Sequence, residues 1–198
     1  QNNQFSRRNF LKSTIAASTV GVTAGIPLLN SCTPQNKQST KTIQVPQLLN
    51  RAPDGKKIKA GLVGCGGRGT GAAIDFLNSG SDLEIVALGD VFEDKMNACR
   101  EILKKDKGVE IPDDKCFIGF DSYEKVLDSG IDVILLCTPP HFRPAHVEAA
   151  VNARKHIFME KPIAVDPVGA RKVLAAANRS KSLGLNIVSG TIRRSQKD

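Results

Sequence analysis

Lys57-Ile58-Lys59-Ala60-Gly61-Leu62-Val63-Gly64-Cys65-Gly66-Gly67-Arg68-Gly69 sets the architecture of the chain. A short, mostly apolar run between a charge cluster and a glycine loop reads as a buried strand. Thr70 to Leu77 follows as a helix, closed by Asn78-Ser79-Gly80. Between strand and helix, Gly64, Gly66 and Gly69 stand in a GxGxxG spacing, with Gly67 and Arg68 inside it. Gly64 permits a tight turn, Gly66 lets the backbone approach a ligand, and Gly69 lets the helix pack against the strand. Amide groups at the helix start then face outward as an anion site.

The same alternation continues outward. Leu83 to Gly89 reads as a second strand ending at Asp90, and Phe92 to Leu103 as a helix. Lys104 to Lys115 is a polar excursion containing Pro112. Phe117 to Phe120 reads as a short strand, with Asp121 capping a helix through Leu127. Val133 to Cys137 is the clearest buried strand, followed by a helix over Pro144 to Ala153. His156 to Met159 is a strand leading into Glu160-Lys161-Pro162. Asp166 caps a long helix to about Lys181, and Asn186 to Gly190 is a final strand. Apolar strands alternating with helices predict an α/β domain over residues 56–190. Its parallel sheet is doubly wound, covered on both faces, and has the strand order of dinucleotide-binding folds.

In that fold, strand C-terminal ends line the ligand crevice. Asp90 lies at such an end, where a carboxylate accepts both ribose hydroxyls of an adenosine and repels a 2′-phosphate. That favours NAD over NADP. The alternative is an Asp that caps the helix beginning near Phe92. Lys161, just past another strand, can reach a cofactor ribose and a substrate hydroxyl. Spacing alone fits a surface lysine in a strand-to-helix turn better.

Composition narrows the class. The chain has 198 residues, 40% hydrophobic and 24% charged, as a soluble globular domain with appendages would have. The absence of Trp and the single Tyr supply no stacking platform for nucleic acid. The net charge of +8 is uneven: before Lys56 the only acid is Asp54, against Arg7, Arg8, Lys12, Lys37, Lys41 and Arg51. The remaining cations scatter over helix faces, which reads as a solvated surface and not a nucleic-acid footprint. Five cysteines show no paired spacing, so no zinc site is predicted. Cys65 and Cys137 read as small buried residues.

The first residues read as an address. Ser6-Arg7-Arg8-Asn9-Phe10-Leu11-Lys12 fits the twin-arginine export pattern, and a mildly apolar stretch from Thr14 to Leu29 follows. Leu29-Asn30-Ser31-Cys32 resembles a lipobox, with either a lipid anchor on Cys32 or ordinary cleavage nearby as its meaning. Residues 1–32 are therefore expected to be a signal and 33–55 a flexible tether. Twin-arginine transport moves folded proteins, which suits a periplasmic protein that loads its nucleotide before export. No Met opens the chain, and Arg193 to Asp198 reads as mid-protein sequence, so residues 191–198 are expected to begin a further domain.

Several of these features occur in one order. The glycine loop, Asp90, Thr138-Pro139, Lys155-His156 and Glu160-Lys161-Pro162 together resemble the N-terminal half of the glucose-fructose oxidoreductase / inositol dehydrogenase / rhizopine-catabolism (Gfo/Idh/MocA) family. The closest likeness is to its exported members. The resemblance implies a hydride-transferring oxidoreductase with NAD, a sugar or polyol substrate, and a C-terminal α/β domain that often forms homo-oligomers. It implies that Lys161 lies beside the nicotinamide and assists catalysis, flanked by Glu160, and that Thr138 and Pro139 line the cofactor cleft. Two departures stand out. Many members have Thr-Pro-Asn-x-x-His where this chain has Thr138-Pro139-Pro140-His141-Phe142-Arg143, and Gly where it has Arg154. Either His141 or Arg143 replaces the missing contacts, or both are surface residues. Two other functions compete: an exported NAD-dependent glycosidase of the same fold, and a nucleotide-binding protein without catalysis.

Overall fold

The computed structural model describes residues 55–191. The predicted signal, Cys32, the tether up to Asp54 and residues 192–198 lie outside the described residues. Within them run β1 (Ile58–Val63), α1 (Gly67–Asn78), β2 (Leu83–Asp90), α2 (Glu93–Lys107), β3 (Cys116–Ile118), α3 (Ser122–Leu127), β4 (Val133–Leu136), α4 (Arg143–Asn152), β5 (His156–Glu160), α5 (Pro167–Ser182) and β6 (Ile187–Gly190). The six strands form one sheet in the order β3-β2-β1-β4-β5-β6, and every neighbouring pair is parallel. This is the doubly wound arrangement that the alternating pattern predicts.

The central strands are buried from both sides. Leu62 of β1, Leu88 of β2, and Ile134 and Leu136 of β4 are inaccessible to solvent. Their side chains divide between two clusters. Val63, Ile134 and Leu136 pack with Val147 and Val151 of α4 and Val173 of α5. Ala60, Leu62 and Leu88 pack with Ala73 of α1 and Met96, Cys99 and Leu103 of α2. Burying a side chain of this size contributes about 1.5–3 kcal/mol each.

Two local readings change in the structure. The helix expected to stop at Leu103 runs on as α2 to Lys107. Lys104, Lys105 and Lys107 occupy its last turn, where cations suit the helix dipole. Gly108, at φ 65°, then closes it: its amide donates to Lys104 at 3.0 Å, and that of Val109 to Leu103 at 3.2 Å. The rest of the excursion includes a single 3₁₀ turn at Asp113–Lys115. Asp121 stands at the N-cap position of α3 but makes no side-chain cap bond. Its carboxylate instead meets Lys125 one turn on, at 2.8 Å, an exposed pair that draws the Asp121 pKa down. Asp166 does cap α5, accepting from the amide of Gly169 at 2.6 Å. Arg154 has φ 56° in the turn between α4 and β5. Only glycine takes that backbone conformation without steric cost.

The glycine loop fixes how α1 leaves β1. A Cβ on Gly69 would lie 1.7 Å from the carbonyl oxygen of Gly64. Gly64 itself has φ 96°, with the backbone of Cys137 and Thr138 under 3 Å from where a Cβ would sit. Gly67 has open space around it. Gly69→Ala is therefore expected to lose about 3 kcal/mol or more, whereas Gly67→Ala stays within about 0.5 kcal/mol of the parent. Urea unfolding midpoints of the two variants check this; equal stability for both would refute the contact.

Candidate functional site

β1 and β4 lie side by side at the centre of the sheet, and the strand order reverses between them. Connections from such strands leave in opposite directions, which opens a crevice at their C-terminal ends. Here that crevice is a cavity of about 470 Å³. Gly64 and Gly66 form its floor, Asp90 and Phe92 one wall, and Thr138 and Pro139 another. Phe120 and His146, from beyond the two strands, complete it.

Hydrogen bonds hold the floor in place. The amide of Gly64 donates to Gly89 at 2.8 Å and that of Cys137 to Val63 at 2.8 Å, carrying the sheet ladder up to the loop. Asp90 bridges two loops. One carboxylate oxygen accepts from the amide of Cys65 at 2.5 Å, the other from the amide of Phe92 at 2.9 Å. Asp90 does not take the N-cap place of α2, which Phe92 holds with no side-chain cap bond; its role is instead this clasp of two loop amides. It does not exhaust the carboxylate, because each oxygen has a second acceptor site. The first orphan amides of α1 begin at Gly67, and at both Gly66 and Gly67 a Cβ would meet no protein atom. These two glycines therefore leave room for something other than protein, as a pyrophosphate against a helix N-terminus requires. The residues present fit a dinucleotide.

Arg68, between the last two motif glycines, does not line that cavity and reaches instead to the end of β5. Its Nε and Nη2 both donate to one oxygen of Glu160 at 2.7 Å, and Nη1 lies 3.5 Å from Asp75. The Glu160 pairing raises the Arg68 pKa. Glu160 is only 7% exposed, so this cation neutralises a buried carboxylate and ties the glycine loop to the Glu160-Lys161-Pro162 turn. Lys161 itself is exposed, beside that pair. His141 is exposed on the turn before α4, edge-on to Phe142, and does not line the cavity. Arg143 is no surface residue: it is 2% exposed and reaches the carbonyls of Thr138 and Pro162.

Two thiols behave as packing groups. Contact with Cys99 and burial push the Cys65 thiol far up, and burial pushes Cys137 to about 12, so both stay protonated at neutral pH.

Sequence reasoning missed His146 and the aromatic rim. His146 belongs to the inward face of α4 with Val147, Ala150 and Val151, so the signal was its place in an apolar helical stripe. It shares a hydrogen bond with the Thr138 hydroxyl at 3.3 Å and stacks on Tyr123 with ring centroids 4.2 Å apart. Phe92 and Phe120 are 63% and 68% exposed at the cavity mouth, where no burial pattern marks them.

The family described as "Oxidoreductase family, NAD-binding Rossmann fold" matches residues 58–186. An inositol 2-dehydrogenase of Cereibacter sphaeroides is 30% identical over 138 residues, covering 69% of this chain and 37% of that protein. An alpha-N-acetylgalactosaminidase of Shewanella oneidensis is 25% identical over 177 residues, covering 88% of this chain and 37% of that protein. Among solved structures, scyllo-inositol dehydrogenase from Lactobacillus casei with bound cofactor NAD(H) and scyllo-inositol superposes with a TM-score of 0.59 at 28% identity. That match covers 72% of this chain and 38% of that one. The chain therefore spans under two-fifths of the length of these relatives.

His146 yields a pH prediction. Burial, then the neighbouring Arg143 charge, lower its pKa to about 4. An unfolded histidine takes up its proton near about pH 6.5. Between those values the unfolded chain binds more protons, so stability rises with pH across the window and falls on acidification through it. The loss from about pH 6.5 to 4 is on the order of 3 kcal/mol. His146→Gln should flatten the pH dependence of the urea midpoint over that range. A profile parallel to the wild type would refute it.

Proposed function

Because the chain belongs to the Gfo/Idh/MocA oxidoreductase family with its NAD-binding Rossmann fold, we propose that it is the cofactor-holding part of an NAD-dependent dehydrogenase acting on a sugar or polyol. The observation that carries this is the cavity at the β1–β4 reversal, where Gly64, Gly66, Asp90, Thr138 and Pro139 meet. Orphan amides at the start of α1 would take the pyrophosphate. Asp90 would accept the adenosine ribose hydroxyls with the lone pairs that Cys65 and Phe92 leave free. Its negative charge disfavours a 2′-phosphate, hence NAD in preference to NADP.

Bound NAD would supply the hydride acceptor, and the protein supplies geometry and proton handling. Lys161, exposed beyond β5, would hydrogen-bond the hydroxyl being oxidised and help take its proton. The pair of exposed Arg68 with buried Glu160 would hold the turn that carries Lys161. The principal acid–base group and the substrate pocket would belong to sequence beyond residue 191, matching the length that the relatives carry outside the aligned part.

A second reading keeps the same cofactor site and changes the outcome. The match to the alpha-N-acetylgalactosaminidase covers 88% of this chain, against 69% for the inositol dehydrogenase. In a glycosidase of this type, oxidation of the sugar is transient and the net product is a released aglycone. Incubation with NAD and either free polyols or a chromogenic N-acetylgalactosaminide separates the two: accumulation of NADH belongs to a dehydrogenase, release of the chromophore without NADH to a glycosidase.

We propose further that the protein is exported by the twin-arginine route, on the strength of Ser6 to Lys12. Lipidation at Cys32 and homo-oligomer formation are part of the same reading.

The cofactor assignment is tested by fluorescence titration with NADH and NADPH. NADH should bind more tightly. Asp90→Asn keeps an acceptor for the Cys65 or Phe92 amide but removes the charge, so the preference for NADH should shrink about tenfold. An unchanged preference would refute the role of Asp90, and absence of NADH binding would refute the site.

A further inference from the structure

Among the described residues, Arg143 is a buried cation that the proposed chemistry does not use. It is the first residue of α4, and 2% exposed. A cation there faces the positive end of the helix dipole. Burial of a charge is costly unless hydrogen bonds compensate it; here burial pulls the Arg143 pKa down. Its two acceptors are both main-chain carbonyls. Nη1 donates to Pro162 and Nη2 to Thr138, while Nε is buried without a partner among the described residues. The side chain is therefore placed by its two terminal nitrogens.

The two carbonyls come from different loops. Thr138 follows β4 and lines the cofactor cavity. Pro162 follows β5 and is bonded directly to Lys161. A guanidinium is a planar fork with a fixed spacing between its terminal donors, whereas an ammonium is a point charge on a flexible stem. A single fork across both loops sets the distance between them.

We infer that Arg143 is a positioning residue: its fork between Thr138 and Pro162 fixes the Lys161 turn against the cavity wall, so that Lys161 stands at the nicotinamide end of the cofactor. This rests on the reading of the cavity as an NAD site. It also gives the substituted Thr138-to-Arg143 segment a role, with Arg143 and not His141 as the residue that matters.

ADP-ribose lacks only the nicotinamide ring of the cofactor, so comparing it with NADH isolates what that ring contributes to binding. Both are titrated against the whole 198-residue chain as wild type, Arg143→Met and Arg143→Lys, with unfolding midpoints alongside. Arg143→Met should keep ADP-ribose affinity within about twofold yet weaken NADH about tenfold, and Arg143→Lys should recover part of that loss. If Arg143→Met does not fold, Arg143→Lys carries the same comparison. A parallel fall in both affinities with a lower midpoint would overturn the inference in favour of a simple strut. Unchanged affinities, or wild-type NADH binding no tighter than ADP-ribose, would overturn it too. Failure to bind either ligand would remove the NAD reading itself.

Discussion

A Cβ on Gly69 would sit 1.7 Å from the carbonyl oxygen of Gly64, so α1 can leave β1 at its observed angle only because Gly69 has no side chain to obstruct it. Much follows from that close approach. It brings the N-terminus of a twelve-residue helix over the end of the central strand. It points the orphan amides of α1 into the crevice between β1 and β4. It also sets the start of α1 where the Arg68 side chain can cross to Glu160 at the end of β5. A wider turn would still give a parallel sheet, but without a floor for a dinucleotide.

The walls of the crevice are held mainly by charge meeting backbone. Asp90 clasps the amides of Cys65 and Phe92, and Arg143 clasps the carbonyls of Thr138 and Pro162. The two groups are mirror images in chemistry: an anion gathers donors on one side of β1, a cation gathers acceptors on the other side. Charge-assisted bonds of this kind are stronger and shorter than neutral ones. They suit loops, which lack ladder hydrogen bonds to fix them. Partial burial keeps solvent from screening them. The wall with Asp90 faces the end assigned to adenosine, and the wall with Arg143 leads to Lys161. The same physical device therefore serves both ends of the proposed ligand.

Most of the fold was legible along the chain because each strand of a parallel sheet is buried on both faces. Ile58–Val63 and Val133–Leu136 thus read as nearly unbroken apolar runs bounded by glycine or polar residues. The misreadings fell where local signals compete. The end of α2 was set by Gly108 and buried Leu103, not by the onset of polar residues at Lys104, because lysines are good helix formers. Asp121 had the right identity for a cap, yet Lys125 one turn away drew its carboxylate off. Arg154 occupies a left-handed position that its residue type does not announce.

What the sequence determined by itself is the order of elements, the parallel sheet, the glycine loop and an acid at the end of β2, because those depend on periodicity and on residues close together in the chain. What only the tertiary structure decided is which distant residues meet. Arg68 and Glu160 pair across 92 positions, and Arg143 bridges loops that belong to different strands. His146 turns from an apolar-stripe residue into a wall of the cavity. No local preference encodes these contacts. They arise when the sheet sets β1, β4 and β5 side by side and brings the ends of neighbouring strands within reach of one another's loops.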